Sequence, residues 1–240
     1  MIRTLTDFHE AVQWLRARVT GTLHTDSRQI QPGDGFIAWP GAATDGRAHV
    51  PDALARGAVA CLVEREGVEP FGLAGEHLAA LPGLKSATAD IAAQWFGNPT
   101  QALDVVAFTG TNGKTSVSQW LAQAGDLLGG KTAVIGTVGN GFWGGLQEST
   151  HTTPDPVAVQ TLLHDFARQG AKNVAMEVSS HGLDQLRVNG VAFKSAIFTN
   201  LTRDHLDYHG SMQAYGEIKA RLFYWQGLQH AVINVDDPFE

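Results

Sequence analysis

The segment TGTNGKT at 109–115 constrains the fold of this chain more than any other stretch. It follows a short apolar run, 105–108, and precedes a helix-compatible stretch. A strand, a glycine-rich loop and a helix in this order are typical of a phosphate-binding loop, in which backbone N–H groups and the helix N-terminus cradle an anion. Lys114 would reach the outer phosphates of a nucleotide, and Thr115 would offer its hydroxyl to Mg²⁺. A glycine turn with a surface lysine is the alternative, and Phe108 stands where the usual motif has its first glycine.

The sequence from 104 onwards alternates apolar strand-like runs with helix-like stretches, which predicts a parallel sheet with helices on both faces. The predicted strands are 104–109, 132–137, 172–178, 195–199 and 230–235, and the predicted helices are 114–128, 155–169 and 211–225. Polar residues stand at or just after the strand ends: Thr109, Thr137, Glu177, Asn200 and Asn234. Ligands bind beyond the carboxyl ends of the strands in such sheets, so we expect these residues to line one crevice.

Residues 1–98 form a separate predicted unit of the α/β class. A first helix would be capped by Thr6 or Asp7, and the predicted strands are 35–39 and 58–63. The predicted helix 86–96 ends at Gly97-Asn98-Pro99-Thr100, where we place the domain junction, so that the second domain covers 99–240.

Composition narrows the classes of function that remain. A net charge of −7 argues against nucleic acid or an anionic membrane surface as the main partner. The single cysteine, Cys61, excludes an intramolecular disulfide and lies in a strand-like run, where we expect a buried thiol. The N-terminus lacks the apolar run of a signal peptide, and no apolar stretch approaches the ~20 residues of a membrane span. These features predict a cytoplasmic protein.

Four motifs together resemble those of the Mur ligases, which are related to the folylpolyglutamate synthetases. They are TGTNGKT at 109–115, TTPD at 152–155, MEVSSHG at 176–182 and NLTRDHLDYH at 200–209. The order is that of the MurE family, whose members join a third amino acid to UDP-N-acetylmuramoyl-L-alanyl-D-glutamate in peptidoglycan synthesis. The resemblance runs from about Thr25 to the last residue.

The resemblance implies a small N-terminal α/β domain that binds the uridine nucleotide, followed by a phosphate-loop, parallel-sheet ATPase domain. The chain stops just after a predicted strand, so we expect the central domain to be incomplete and the family's C-terminal domain to be absent. A fragment and a truncated gene both fit this ending. The implied reaction uses ATP and Mg²⁺ to convert the D-glutamyl γ-carboxylate to an acyl phosphate, which the amine of the incoming amino acid then attacks. The implied chain is a monomer.

The resemblance also implies which residues carry the chemistry. ATP would be bound by Gly110, Thr111, Asn112, Gly113, Lys114, Thr115 and Ser116. One magnesium would be held by Thr115 and Glu177, and a second by His205, although a solvated strand-end glutamate is the alternative for Glu177. Not every ionisable group of 204–209 can be a ligand, and we expect Asp204, Asp207 and His209 to orient His205 or to be structural.

Lys219 corresponds to the lysine that reacts with carbon dioxide in the Mur ligases, so the resemblance implies an N6-carboxylysine there. Burial would lower the pKa of the side chain and supply the neutral amine. An exposed lysine paired with Glu217 or Asp207 is the alternative.

For the muramoyl dipeptide, the resemblance implies contacts from hydroxyls and one arginine: Ser27, Thr152, Thr153, Ser179 and Arg187. Thr152 followed by Pro154 and Asp155 also fits a helix start. Family members often carry histidine or lysine where Ala42 stands, which puts the uracil contact of the loop 41–47 in question.

The amino acid added is expected to be meso-diaminopimelate, with L-lysine open because the selecting residues lie in the family's C-terminal domain. A folylpolyglutamate synthetase-like ligase is a second alternative. The MEVSSHGL motif and the uridine-type first domain argue against it. A truncated remnant that binds nucleotides without ligating is the third.

Overall fold

The computed structural model describes residues 2–41 and 44–238, and they fall into two compact units. The first contains the residues up to Gly97 together with Pro156–Ala158, and the second contains Asn98–Asp155 and the residues from Val159 onwards. In the part of the chain so described, no helix is long and apolar enough to cross a lipid bilayer.

The first unit is a five-stranded parallel sheet with the order β1-β5-β4-β3-β2. Its strands are β1 Arg3–Thr4, β2 Leu23–His24, β3 Gly35–Ala38, β4 Ala60–Glu64 and β5 Leu78–Leu81. Its helices are α1 Phe8–Arg16, α2 Val50–Ala55 and α3 Leu84–Trp95. Asp7 caps α1 by accepting from Glu10 N at 2.8 Å, as the sequence predicts for Thr6 or Asp7.

Strands β3 to β5 are buried on both faces, which explains why they read as continuous apolar runs. Along β4, Ala60 and Leu62 belong to one apolar cluster, while Cys61 and Val63 belong to another on the opposite face. Cys61 is buried as expected, and burial raises the pKa of its thiol to about 12.

The second unit is a six-stranded sheet with the order β11-β10-β6-β9-β7-β8. Its strands are β6 Asp104–Thr109, β7 Thr132–Ile135, β8 Asn140–Phe142, β9 Asn173–Glu177, β10 Phe193–Phe198 and β11 His230–Ile233. Its helices are α4 Lys114–Leu127, α5 Pro156–Arg168, α6 Ser180–Asp184, α7 Leu206–His209 and α8 Met212–Ala220, except that the first three residues of α5 belong to the first unit. The predicted α/β class with a parallel sheet is confirmed. The sequence missed β8, which pairs antiparallel to β7.

The central strands of this sheet place the candidate site. Val105 and Ala107 of β6 pack into the larger apolar cluster on one face, and Phe108 packs with α4 residue Ala122 on the other. Both faces are therefore covered, as in other sheets with crossover helices.

The predicted helix 211–225 is shorter than expected, because α8 ends at Ala220 and continues as a 3₁₀ turn, Arg221–Tyr224.

Candidate active site

The loop between β6 and α4 has the geometry of an anion cradle. Gly113 precedes α4 with a φ of 84°, and no side chain caps the helix. The first N–H groups of a helix lack intrahelical partners, so this end presents donors and the positive end of a 14-residue helix dipole. Gly110 has a φ of 139°, and an added Cβ would collide with the Thr199 hydroxyl, so only glycine fits there. Ser116 is exposed on the first helical turn.

Lys114 folds back over the loop that precedes it. Its Nζ donates to the carbonyl oxygens of Gly110 and Thr111, both at 2.9 Å. Burial lowers the pKa of the ammonium, partly offset by the charges of Glu177 and Asp204. Two neutral carbonyls compensate the charge only partly, so the side chain is suited to meet phosphate oxygens.

Asn200, which follows the neighbouring strand β10, holds the loop by hydrogen bonds. Its carbonyl accepts from Thr111 N at 2.8 Å, and its side-chain Oδ1 accepts from Asn112 N at 3.0 Å. Its Nδ2 donates to the Asn112 carbonyl at 3.1 Å. Three hydrogen bonds from one residue therefore fix the first half of the loop and leave the helix end available to a ligand.

Glu177 and Thr115 form the most specific oxygen pair of the site. Thr115 Oγ1 donates to Glu177 Oε2 at 2.9 Å. Thr137 donates to the same carboxylate twice, from its backbone N at 3.1 Å to Oε1 and from Oγ1 at 3.0 Å to Oε2. The solvated-glutamate alternative is wrong, because Glu177 is fully buried.

This pair satisfies the donor chemistry that Mg²⁺ requires, which is carboxylate and hydroxyl oxygen together with phosphate oxygens from the nucleotide. The described residues contain no cluster of three or more His, Cys, Asp or Glu side chains that would form a metal site by themselves. Any magnesium at Thr115 and Glu177 would therefore take most of its ligands from water and phosphate, as is usual for nucleotide sites.

His205 lies in a cluster of aromatic rings. Its ring is 4.8 Å from that of His181 and 6.1 Å from that of Tyr215, and Asp204 Oδ2 is 3.4 Å from its Nε2. Its φ of 51° is uncommon for a residue other than glycine and indicates a constrained backbone. Within the described residues, no hydrogen bond or ion pair joins it to the Thr115–Glu177 pair.

Asp204 and His209 differ in how they relate to this cluster. Asp204 accepts from His205 N at 2.9 Å, which agrees with an orienting role. His209 Nε2 is 2.9 Å from Ser180 Oγ, and burial lowers its pKa. Burial also lowers the pKa of His181, and the nearby charges of His205 and His209 act in the same direction.

Lys219 is buried, at 2% exposure, and the exposed-lysine alternative is wrong. Its Nζ donates to the Gly110 carbonyl at 2.9 Å, the same oxygen that accepts from Lys114. Burial lowers its pKa to about 7, the positive charge of Lys114 adds to that shift, and Asp204 opposes it. A large fraction of neutral amine near pH 7 is the condition for reaction with carbon dioxide.

The residues expected to bind the dipeptide are joined by hydrogen bonds to the end of β9. Thr153 Oγ1 is 3.0 Å from the Glu177 carbonyl and accepts from Ser179 N at 3.0 Å. Arg187 donates to the Thr153 carbonyl at 2.6 Å, and burial lowers the pKa of its guanidinium. Thr152 Oγ1 lies 2.9 Å from Thr137 Oγ1, which connects this group to the Glu177 carboxylate.

Ser27 lies in the first unit, in a cleft of about 600 Å³. Asp26 caps the 3₁₀ turn that contains Ser27 by accepting from Arg28 N at 2.9 Å. The cleft is also lined by His49 and Arg56. Ala42 lies outside the described residues.

Sequence reasoning assigned no role to His181, Gln185 and Tyr215. Thr137 and Asn200 are expected in the crevice because polar residues follow the strands there, but the sequence does not predict their individual contacts. Gln185 Oε1 accepts from Arg187 Nε at 3.2 Å and from its terminal nitrogen at 2.7 Å, a contact that depends on the turn after α6.

Comparison with known proteins agrees with the motifs. Residues 108–240 match the Mur ligase middle domain, and residues 21–110 match the Mur ligase family catalytic domain. A UDP-N-acetylmuramoyl-L-alanyl-D-glutamate–2,6-diaminopimelate ligase from Acidovorax sp. (strain JS42) is 59% identical over 99% of this chain and 49% of that protein. A ligase of the same name from Neisseria meningitidis (serogroup A, strain Z2491) is 61% identical over 90% of this chain and 44% of that protein.

A solved structure of a ligase of that name has 38% identity and a TM-score of 0.73, over 90% of this chain and 43% of its own. The chain thus spans about half the length of the relatives it matches. The middle-domain match covers more than half of the chain and contains all four motifs. The chain therefore belongs to the Mur ligase family.

Proposed function

We propose that the chain is the nucleotide-binding part of an ATP-dependent ligase that adds meso-diaminopimelate to UDP-N-acetylmuramoyl-L-alanyl-D-glutamate. The observation that carries the proposal is the Thr115–Glu177 pair at 2.9 Å, at the start of an uncapped helix and beside a lysine that folds over the loop. The two relatives at 59% and 61% identity are diaminopimelate ligases by name, which favours this amino acid over lysine and this reaction over folate ligation.

The reaction divides into two steps. The γ-carboxylate of the D-glutamyl residue attacks the γ-phosphorus of ATP, and ADP leaves from the acyl phosphate that forms. The amine of the amino acid then attacks the acyl carbon, inorganic phosphate leaves, and an amide remains. Phosphoryl transfer requires positioning and charge neutralisation more than a protein nucleophile.

The residues of the loop would supply that neutralisation. Lys114 would exchange its two carbonyl acceptors for phosphate oxygens, and the first N–H groups of α4 would bind phosphate at the positive end of the helix. Thr115 and Glu177 would hold magnesium, with His205 as ligand of a second ion. When bound, magnesium neutralises the charge that develops on the transferring phosphoryl group.

Thr152, Thr153, Ser179 and Arg187 would bind the muramoyl dipeptide beside this loop, where Arg187 suits a carboxylate. Ser27 and the cleft of the first unit would take the uridine nucleotide. We also propose a cytoplasmic location and a monomer.

Lys219 is proposed to become an N6-carboxylysine. The neutral amine attacks the carbon of carbon dioxide, a C–N bond forms, and one proton leaves to solvent, which gives a carbamate anion. A lysine cation ~4 Å from a metal ion would instead be repelled by it. The repulsion would cost ~4 kcal/mol for each unit of charge on the metal at an effective dielectric constant of ~20. The anion removes this repulsion, and the pKa of about 7 supplies the amine.

Phosphate release tests the proposed function. The chain is incubated with ATP, magnesium, the muramoyl dipeptide and, in separate reactions, meso-diaminopimelate, L-lysine or no amine. Phosphate release that depends on dipeptide and on meso-diaminopimelate supports the proposal. Release with lysine alone indicates the lysine-adding type, and ATP binding without any release indicates a nucleotide-binding remnant.

A further inference from the structure

Tyr215 lies at the centre of the site although it belongs to none of the four sequence motifs. It lies on α8, which begins at Met212 and is capped by Ser211. The side chain is 1% exposed and is the largest among the fully buried side chains. A tyrosine buried this deeply usually finds a partner for its hydroxyl, and the partner here belongs to the phosphate loop.

The hydroxyl of Tyr215 is 3.2 Å from Thr111 Oγ1. The same Thr111 oxygen accepts from Thr202 N at 2.9 Å and lies 3.1 Å from the Thr202 carbonyl. Thr111 has one hydroxyl proton, so when it donates to Thr202 the Tyr215 hydroxyl is the donor to Thr111. Burial raises the pKa of Tyr215, which keeps that proton in place.

The ring of Tyr215 contacts the other half of the site. Lys219 Nζ lies 4.7 Å from the ring centroid, one helical turn further along α8. The His209 ring stacks on it at 5.2 Å with an interplanar angle of 29°, and the His205 ring meets it edge-on at 6.1 Å. The Tyr215 hydroxyl therefore contacts the phosphate loop, and the Tyr215 ring contacts Lys219 and two histidines.

We propose that Tyr215 is a positioning residue that fixes the phosphate loop relative to Lys219 and His205. The inference rests on the proposed function, since it concerns how the ATP loop and the carbamate site of that reaction are held together. Transfer between a bound nucleotide and a carboxylate depends steeply on placement, so a side chain that joins the two halves acts on both. Its hydroxyl acts on the loop through Thr111, and its ring acts on the Lys219 side chain.

Two substitutions separate the two contacts. Tyr215→Phe removes only the hydroxyl, whereas Tyr215→Leu removes the ring as well. Tyr224→Phe is the matched control, because Tyr224 follows the same helix and is 87% exposed. Affinity of the whole chain for ATP and magnesium is measured by calorimetry, and the Lys219 carbamate is measured by ¹³C NMR after equilibration with ¹³C-bicarbonate.

We expect Tyr215→Phe to weaken ATP binding by roughly three- to tenfold, the range for one lost neutral hydrogen bond, and to leave the carbamate signal at the wild-type intensity. We expect Tyr215→Leu to weaken ATP binding and to reduce the carbamate signal by half or more. Tyr224→Phe should change neither. This division between two readouts would not arise from a general loss of stability, which moves both together.

Wild-type ATP affinity in Tyr215→Phe would overturn the proposal. So would an equal loss of ATP affinity and carbamate signal in Tyr215→Phe. An effect of Tyr224→Phe as large as that of Tyr215→Phe would overturn it as well. A wild-type chain that binds no ATP would overturn the proposed function and this inference together. If the wild-type chain binds ATP and Tyr215→Phe binds it with the same affinity, this inference alone would be overturned.

Discussion

Two arginines of the first unit and two lysines of the second differ in what compensates their charge. In the first unit, Arg28 and Arg47 pair with carboxylates two residues before them, Asp26 and Asp45, and these hydrogen bonds raise the pKa of each guanidinium. In the second unit, Lys114 and Lys219 donate to one backbone carbonyl, that of Gly110, and burial lowers the pKa of both.

The difference indicates which region is built to receive negative charge. A carboxylate partner satisfies an arginine within its own loop, so such pairs organise the loops around the first cleft. A carbonyl carries only a partial charge, so the ammonium of Lys114 is left with largely uncompensated positive charge, while burial makes the neighbouring Lys219 largely neutral near pH 7. In a chain with a net charge of −7, the field that attracts phosphate is therefore concentrated at the Gly110 loop.

The largest expected effect concerns Lys219 and the stability of the chain. A pKa of about 7 against an ordinary 10.5 corresponds to a cost of burial on the order of 5 kcal/mol at low pH. Between these two values the unfolded chain binds more protons than the folded chain, so stability rises with pH over that window and is flat below it. Lys219→Met should remove this rise.

Denaturant unfolding between pH 6.5 and 10, in buffer free of carbon dioxide, measures it. Lys172→Met is the control, since Lys172 is exposed in the same unit and should keep the wild-type slope. Equal slopes in Lys219→Met and wild type would break the comparison, because Lys219 would then be solvated like any surface lysine.

The next largest effect concerns Lys114. Lys114→Ala removes the cation that would meet the phosphates, and we expect a loss of 10²–10³-fold in ATP turnover, the order found when one preorganised donor is deleted. The fold should persist, because Lys114 contacts only loop carbonyls. Phosphate-release kinetics and the melting temperature are measured beside Lys172→Ala. If Lys114→Ala turned over ATP at the wild-type rate, the loop could not be assigned as the phosphate-binding loop.

Glu177→Gln tests the acidic side of the same region. The amide keeps the size of the side chain but offers one oxygen, so it cannot accept the three hydrogen bonds from Thr115 and Thr137 and bind a metal strongly. We expect the magnesium concentration at half-maximal activity to rise by roughly 10- to 100-fold, as for other lost metal contacts. Glu217→Gln, on an exposed position of α8, is the control. Superimposable magnesium titrations of the two variants would exclude Glu177 as a ligand.

The sequence predicted the regular parts of this region well because they are encoded locally. Strand β6 has the predicted bounds 104–109, and the loop that follows it is recognisable from its glycines and the Lys114–Thr115 pair. The burial of Glu177 was not predictable, because its carboxylate is covered by contacts with Thr137, which follows a different strand. The Tyr215–Thr111 contact joins residues 104 positions apart, and no local pattern encodes such a pair.

The short helices α6 and α7 show a second limit. They have five and four residues, which is below the length at which an apolar period can be read. Helix α6 begins inside the motif 176–182 and α7 lies inside the motif 200–209, so a role in chemistry was expected for these segments while their conformation was not. The left-handed backbone of His205 is likewise a consequence of the packing around it.

The smallest expected effect lies in the first unit, where Ser27 is nearly buried at 8% exposure on the wall of the 600 Å³ cleft. Ser27→Ala removes one hydroxyl from a wall whose neighbouring charges already compensate each other, Arg28 with Asp26. We expect KM for the uridine-linked dipeptide to rise about two- to tenfold, the value of one neutral hydrogen bond, with kcat unchanged because the residues proposed to carry the chemistry belong to the second unit. Ser86→Ala is the control, because the Ser86 hydroxyl donates to the Gly83 carbonyl within the same unit and does not line the cleft. A fall in kcat, or a change in KM for ATP as large as that for the dipeptide, would mean that the two regions do not divide binding and chemistry as the pairing of their cations indicates.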